Sequence, residues 1–104
     1  MIELFQEIAR RRSLGEVVAL ATIVNAKGST PREPGAKMMV AADGSITGTV
    51  GGGFGEHKVW QAALETIRTG QPGIVHVDMT ADAVSNEGGV CGGVMDVFVE
   101  AIRA

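Results

Sequence analysis

The stretch VVALATIV, Val17–Val24, is an apolar run of strand length, rich in β-branched residues. That is the pattern of a central strand covered on both faces, and it predicts the floor of the core. Upstream of it, Ile2, Phe5, Ile8 and Ala9 recur at helical spacing, and Gly15 ends that helix shortly after three arginines. Downstream, Lys37–Ala42 and Ser45–Val50 flank Asp43-Gly44, a pair suited to a tight hairpin turn with positive φ. A second helix is predicted over Glu56–Thr69, because Val59, Trp60, Ala63, Leu64 and Ile67 make one apolar stripe and Gly70 is a natural stop. Gly73–Met79 and Val94–Ile102 then alternate, the second with Met95, Val97, Val99 and Ala101 on one face and Asp96 and Glu100 on the other. The expected fold is a single small α/β domain in the order α-β-β-β-α-β-β, with a mixed sheet of about five strands packed by two helices.

Composition narrows the function classes. At 104 residues with 45% hydrophobic content, the chain supplies one modest core and is too short for a two-domain enzyme. A formal charge of -3 provides no broad cationic field, and the basic run Arg10–Arg12 sits where it complements the first helix's dipole. Duplex nucleic acid is therefore not an expected partner. No segment reaches the roughly 18–20 apolar residues of a membrane span, and no basic leader precedes an apolar run, so a cytoplasmic location is expected. Cys91 is the single cysteine, which leaves no internal disulfide and no four-cysteine zinc site. Any chemistry at that residue is thiolate chemistry.

The residues that packing does not explain lie in three loops. In KGSTPREPGAK, Lys27–Lys37, two prolines stiffen the chain, two glycines permit unusual φ angles, and Ser29, Thr30, Arg32 and Lys37 supply hydroxyls and cations. Such a loop can wrap an anionic or strongly polar ligand, or it can be a solvated turn. In GTVGGGFGE, Gly51–Gly53 precede the second helix, whose N-terminus offers unpaired N–H donors to an anion such as phosphate. Neither the dinucleotide fingerprint nor the Walker pattern fits, since Glu56 stands where G-x-G-x-x-G needs its third glycine. Glu56 is readable as a favourable first-turn carboxylate, as an acceptor for ligand N–H groups, or as a base. In SNEGGVCGGVMD, glycine pairs bracket Cys91. They let the backbone approach a ligand and present the sulfur in an open turn, as a nucleophile or soft metal ligand, against the alternative of an inert buried thiol. His57 and His76 read as structural or exposed.

Taken in order, GSTPREPGAKMMV, GTVGGGFGE and GGVCGGVMDVFVE closely resemble the N-terminal domain of the XdhC/CoxI family, accessory factors of xanthine dehydrogenase and carbon monoxide dehydrogenase. The resemblance implies a maturation factor without turnover of its own. Such a factor binds the molybdenum cofactor (molybdopterin) as cargo, protects it while a cysteine desulfurase adds the terminal sulfido ligand, and delivers it to an apo-molybdoenzyme of the xanthine dehydrogenase family. The family motif falls on Gly28, Ser29, Thr30, Arg32, Gly35 and Lys37, on Gly52, Gly53 and Glu56, and on Cys91, Gly92 and Gly93, with Cys91 placed near molybdenum. Two departures stand out. Many members carry a second cysteine where this sequence has Phe54, and full-length members continue into a Rossmann-like domain, whereas this sequence ends at Ala104. A stand-alone short member or one half of a split pair is expected, with a separate Rossmann-like partner or a homodimer completing the pocket. The alternatives are an anion- or nucleotide-binding regulatory scaffold, indifferent to molybdenum, and a small thiol enzyme built on Cys91.

Overall fold

The computed structural model describes residues 1–30, 32–80 and 92–103. Its elements are α1 (Ile2–Ser13), β1 (Val18–Lys27), β2 (Lys37–Ala41), β3 (Ile46–Gly48), α2 (Gly53–Thr69), β4 (Gly73–Asp78) and β5 (Val94–Ile102). The strands form one five-stranded sheet in the order β3-β2-β1-β5-β4. The expected α-β-β-β-α-β-β order holds, but every pairing is antiparallel where a mixed sheet was expected. The reason lies in α2. It returns the chain from β3 to β4 running in the same direction, yet those two strands occupy opposite edges, with β2, β1 and β5 between them. The strands joined by the helix never become neighbours, so no parallel pair arises.

β1 is the middle strand, and its alternation feeds two cores. Ala19, Ala21 and Ile23 face α2 with Met38, Val40, Val59, Ala63, Val77, Met95 and Val97, while Val18 and Leu20 face α1 with Leu4, Ile8, Met39 and Ala41. Burial on both faces is what makes the run 17–24 continuously apolar. At Val24 the register against β5 shifts, from Ile23 opposite Val97 to Asn25 opposite Asp96, which leaves Val24 exposed. This bulge turns Asn25 toward Asp96, and its Nδ2 donates to Oδ2 at 3.3 Å.

Three local expectations change. α1 buries Leu4 and Ile8 rather than the full Ile2, Phe5, Ile8, Ala9 stripe; Ile2 is 71% and Phe5 48% exposed. Leu4 and Ile8 pack on Val18, Leu20, Met39 and Ala41, and Arg11, on the same side of the helix, donates to Glu7, Glu16 and the Ser45 hydroxyl of the β2–β3 turn. α2 begins at Gly53, three residues before the apolar stripe predicts, because glycines carry no periodic signal. The turn before β3 has positive φ at Gly44 and not at Asp43, so Ala42–Gly44 form a three-residue connection rather than a two-residue one.

Glu7 accepts from Arg10 Nη2 at 2.6 Å and Arg11 Nε at 2.8 Å, and these hydrogen bonds hold its carboxyl down to about 2 from an ordinary 4.5. A depressed carboxyl stabilises the fold above its unfolded-state value and loses that effect as pH falls through the folded value. Unfolding midpoints of the wild type and Glu7→Gln should therefore differ most above pH 4.5 and converge toward about pH 2. A gap that stays constant over that range would overturn the pairing.

Candidate functional site

The antiparallel sheet places all three motif loops at one end. β1 ends and β5 begins there, with Lys27 opposite Val94; β4 ends there, with Asp78 also opposite Val94; β2 begins there, and β3 ends at Gly48 opposite Met38. Residues 28–30 and 32–36, 49–52, 79–80 and 92–93 therefore adjoin the same end of the sheet. The remaining turns lie at the other end. No single strand carries this arrangement in its sequence, because it follows from the pairing order.

Loops one and three meet backbone to backbone. A Cβ on Gly93 would lie 2.7 Å from the Lys27 carbonyl oxygen, 2.7 Å from Thr30 Cγ2 and 2.9 Å from the Ser29 oxygen. A Cβ on Gly28 would lie 3.1 Å from the Gly92 oxygen. Met79 N–H donates to the Gly93 carbonyl at 2.8 Å, and Gly92 N–H returns to the Met79 carbonyl at 2.9 Å. Gly28 and Gly93 are thus required for close packing of the chain on itself. Thr30 Oγ1 donates to the Arg32 carbonyl at 3.0 Å, and Gly35 N–H donates to the Ile23 carbonyl at 2.7 Å, tying the loop to β1. Ser29 and Arg32 are exposed on it. Cys91, and Pro31 within loop one, lie outside the described residues; Gly92, next to the cysteine, abuts loop one.

The middle loop is built differently. Gly51, Gly52 and Gly53 all have positive φ, of 126°, 79° and 61°, and around Gly52 and Gly53 nothing lies within 4 Å of where a Cβ would stand. Gly52 combines φ 79° with ψ -177°, a conformation confined to glycine. The backbone there is bare for conformational reasons and faces open space at the start of α2. Glu56 holds it in that shape: its Oε1 accepts from the Thr49 hydroxyl and from Gly52 N–H at 3.2 Å, while Thr49 Oγ1 accepts from Gly51 N–H at 2.9 Å. The device resembles a capping box moved one residue into the helix. In the sequence, Thr49 is marked only as a lone hydroxyl just before a glycine run that a glutamate follows. Gly55 serves packing, since a Cβ there would lie 3.2 Å from the Met79 sulfur and Val77 Cγ1.

Lys37 does not join this cluster. It lies in β2, on the α1 face, with Nζ 3.5 Å from Thr22 Oγ1. The outer face instead carries a polar group that spacing alone did not reveal. His76 Nδ1 and Asp96 Oδ1 are 2.8 Å apart beside Asn25, and the histidine contact holds the Asp96 carboxyl below its usual range. His57 stacks on Trp60 with centroids 5.6 Å apart. Among the described residues, no cluster of three or more His, Cys, Asp or Glu side chains is placed to hold a metal ion, and no helix is long and apolar enough to cross a membrane.

Comparison with known proteins places this geometry among relatives. A model of the XdhC and CoxI family matches residues 12–78. The Escherichia coli (strain K12) protein YqeB, described as uncharacterized, is 40% identical over 98 residues, which is 94% of this chain but 18% of that protein. The crystal structure of a xanthine dehydrogenase from Bacillus halodurans superposes with a TM-score of 0.82 at 30% identity, covering 98% of this chain and 30% of that one. The chain thus spans a small part of the length of the relatives it matches.

Proposed function

From the premise that the chain belongs to the XdhC and CoxI family, we propose that it binds the molybdenum cofactor as cargo, protects it through sulfuration, and delivers it to an apo-molybdoenzyme of the xanthine dehydrogenase type. The protein performs no turnover of its own in this reading; a cysteine desulfurase and the apo-enzyme are its partners, in the cytoplasm.

The observation that carries the reading is the convergence of the three motif loops at one end of the sheet, with Gly52 and Gly53 presenting open backbone at the start of α2. The Gly51 and Gly52 amides are taken by Thr49 and Glu56, so it is the N–H groups of the first turn of α2, from Gly53 onward, that suit the cofactor's phosphate. The exposed Arg32, on the adjoining loop, supplies a second anion contact of fork geometry. Ser29 offers a hydroxyl, and Thr30 an acceptor oxygen, to polar groups of the ligand beside loop one. Cys91 supplies a soft thiolate for the metal end. Gly28, Gly35, Gly92 and Gly93 shape the loops that hold these groups, Glu56 shapes the glycine turn, and Lys37 stands behind them on the α1 face.

The test is molybdenum and pterin content per mole of protein after anaerobic purification from a host that makes the cofactor. Wild type should carry both. Arg32→Ala should retain about a tenth or less, since a charge-assisted hydrogen bond contributes about 1.5–3 kcal/mol. Cys91→Ala should lose loading sharply if its thiolate meets the metal; equal loading keeps the carrier role and removes the cysteine from it. A wild-type protein with no cofactor under these conditions overturns the reading and puts the anion-binding scaffold first.

A further inference from the structure

A groove runs from the glycine loop between β3 and α2. It has a volume of about 420 Å³ and is lined by Gly44 and Ile46 from the hairpin and by Gly53, Glu56, His57 and Trp60 from α2. We infer that this groove seats a flat, neutral heteroaromatic ring with N–H donors on its edge, the ring end of the ligand proposed above. The inference rests on that reading for the identity of the ring as a pterin.

Three observations point to such an occupant. First, the helix-side wall is aromatic and already organised. The His57 and Trp60 rings stack at an interplanar angle of 26°, and Trp60 Nε1–H donates to the Gly44 carbonyl at 2.9 Å. The indole is pinned and its N–H is spent, so what it offers a ligand is its π face. Second, the strand-side wall is Ile46, an edge-strand side chain that is 41% exposed, so an aliphatic wall stands opposite the aromatic rings of α2. A volume of this size lies within the ordinary range for a small-molecule site, roughly 300–1,000 Å³. Third, the groove's carboxylate is half used. Glu56 Oε1 is taken by Thr49 and Gly52, while among the described residues Oε2 enters no hydrogen bond. An acceptor oxygen beside an aromatic wall selects a ring that donates N–H and repels one that is anionic. Gly53 lines the groove as well as the glycine loop, so a ligand lying in the groove reaches the helix start without a break.

Trp60 is the chain's single tryptophan, so its indole N–H is one resonance in a nitrogen-15 correlation spectrum of the full chain. Titration with the unsubstituted pterin ring, which carries no phosphate, should shift the Trp60 indole and the Ile46 methyl signals; inorganic phosphate should leave both in place. Ile46→Lys alters an exposed position, keeps the fold, and should abolish the shift. His57→Ala should weaken the pterin titration about tenfold, the scale of one lost ring stack. Unmoved Trp60 and Ile46 signals at millimolar pterin, in a protein that still purifies with cofactor, overturn the groove and leave the carrier reading standing. A pterin-dependent shift in a protein that never carries molybdenum supports the groove and overturns the carrier reading.

Discussion

Gly93→Ala should lower the melting temperature by about 10 °C or more, through a loss of roughly 2–4 kcal/mol in a domain of this size. The new methyl group would stand 2.7 Å from the Lys27 carbonyl oxygen and 2.9 Å from that of Ser29. Both are backbone atoms at the foot of loop one, so relief requires the β1 end and the β5 start to part. The comparison that isolates this cause is Gly35→Ala. That glycine has φ 95° and nothing within 4 Å of its Cβ position, so only backbone strain is added, about 1–2 kcal/mol. Thermal and urea unfolding of the two variants would read the difference. Similar small losses at both positions would mean that loops one and three are not packed together as described, and the shared site would fall with them.

Glu56→Ala is the second substitution with a large expected effect. It removes the acceptor of the Thr49 hydroxyl and of Gly52 N–H, and a carboxylate in the first turn of α2. The expected loss is about 1–3 kcal/mol, and hydrogen exchange at the Gly52 amide should quicken. Glu56→Gln keeps an acceptor oxygen in place and should recover most of that stability. If both variants exchange like the wild type, the carboxylate does not hold the glycine turn. If Glu56→Gln is stable but loses cofactor loading, the charge serves the ligand in addition to the turn.

Legibility differed from element to element. β1, α2 and β5 were readable because each carries a strong period: a two-face apolar run, a five-residue stripe ended by Gly70, and an alternation from Met95 to Ala101. Gly70 does end α2, in the left-handed conformation with its N–H bonded to the Thr66 carbonyl at 2.7 Å. The facing of α1 is not legible, because Ile2, Phe5 and Ala9 satisfy helical spacing as well as Leu4 and Ile8 do, and only packing of Leu4 and Ile8 on Val18, Leu20, Met39 and Ala41 separates the two stripes. The motif glycines were legible as a set, yet they divide into two kinds that look identical in sequence. Gly93 is needed because another stretch of backbone lies against it, Gly52 and Gly53 are needed for positive φ in open space, and Gly28, with φ 77° and the Gly92 oxygen close by, answers to both. Glu56 divides similarly: its first-turn position was readable, and its bonds to Thr49 and Gly52 were not.

Local chain chemistry by itself determined the number, order and type of elements, the central place of β1, and the residues set aside as unexplained by packing. Each of these depends on periodicity, turn propensity or side-chain chemistry within a few positions. Only the tertiary structure decided the antiparallel pairing throughout, the meeting of three sequence-distant loops at one end, the placement of Lys37 behind them, and the groove between Ile46 and Trp60. Those follow from which strands become neighbours, and that is settled by burying both faces of β1 at once, a requirement the whole chain meets and no single segment specifies.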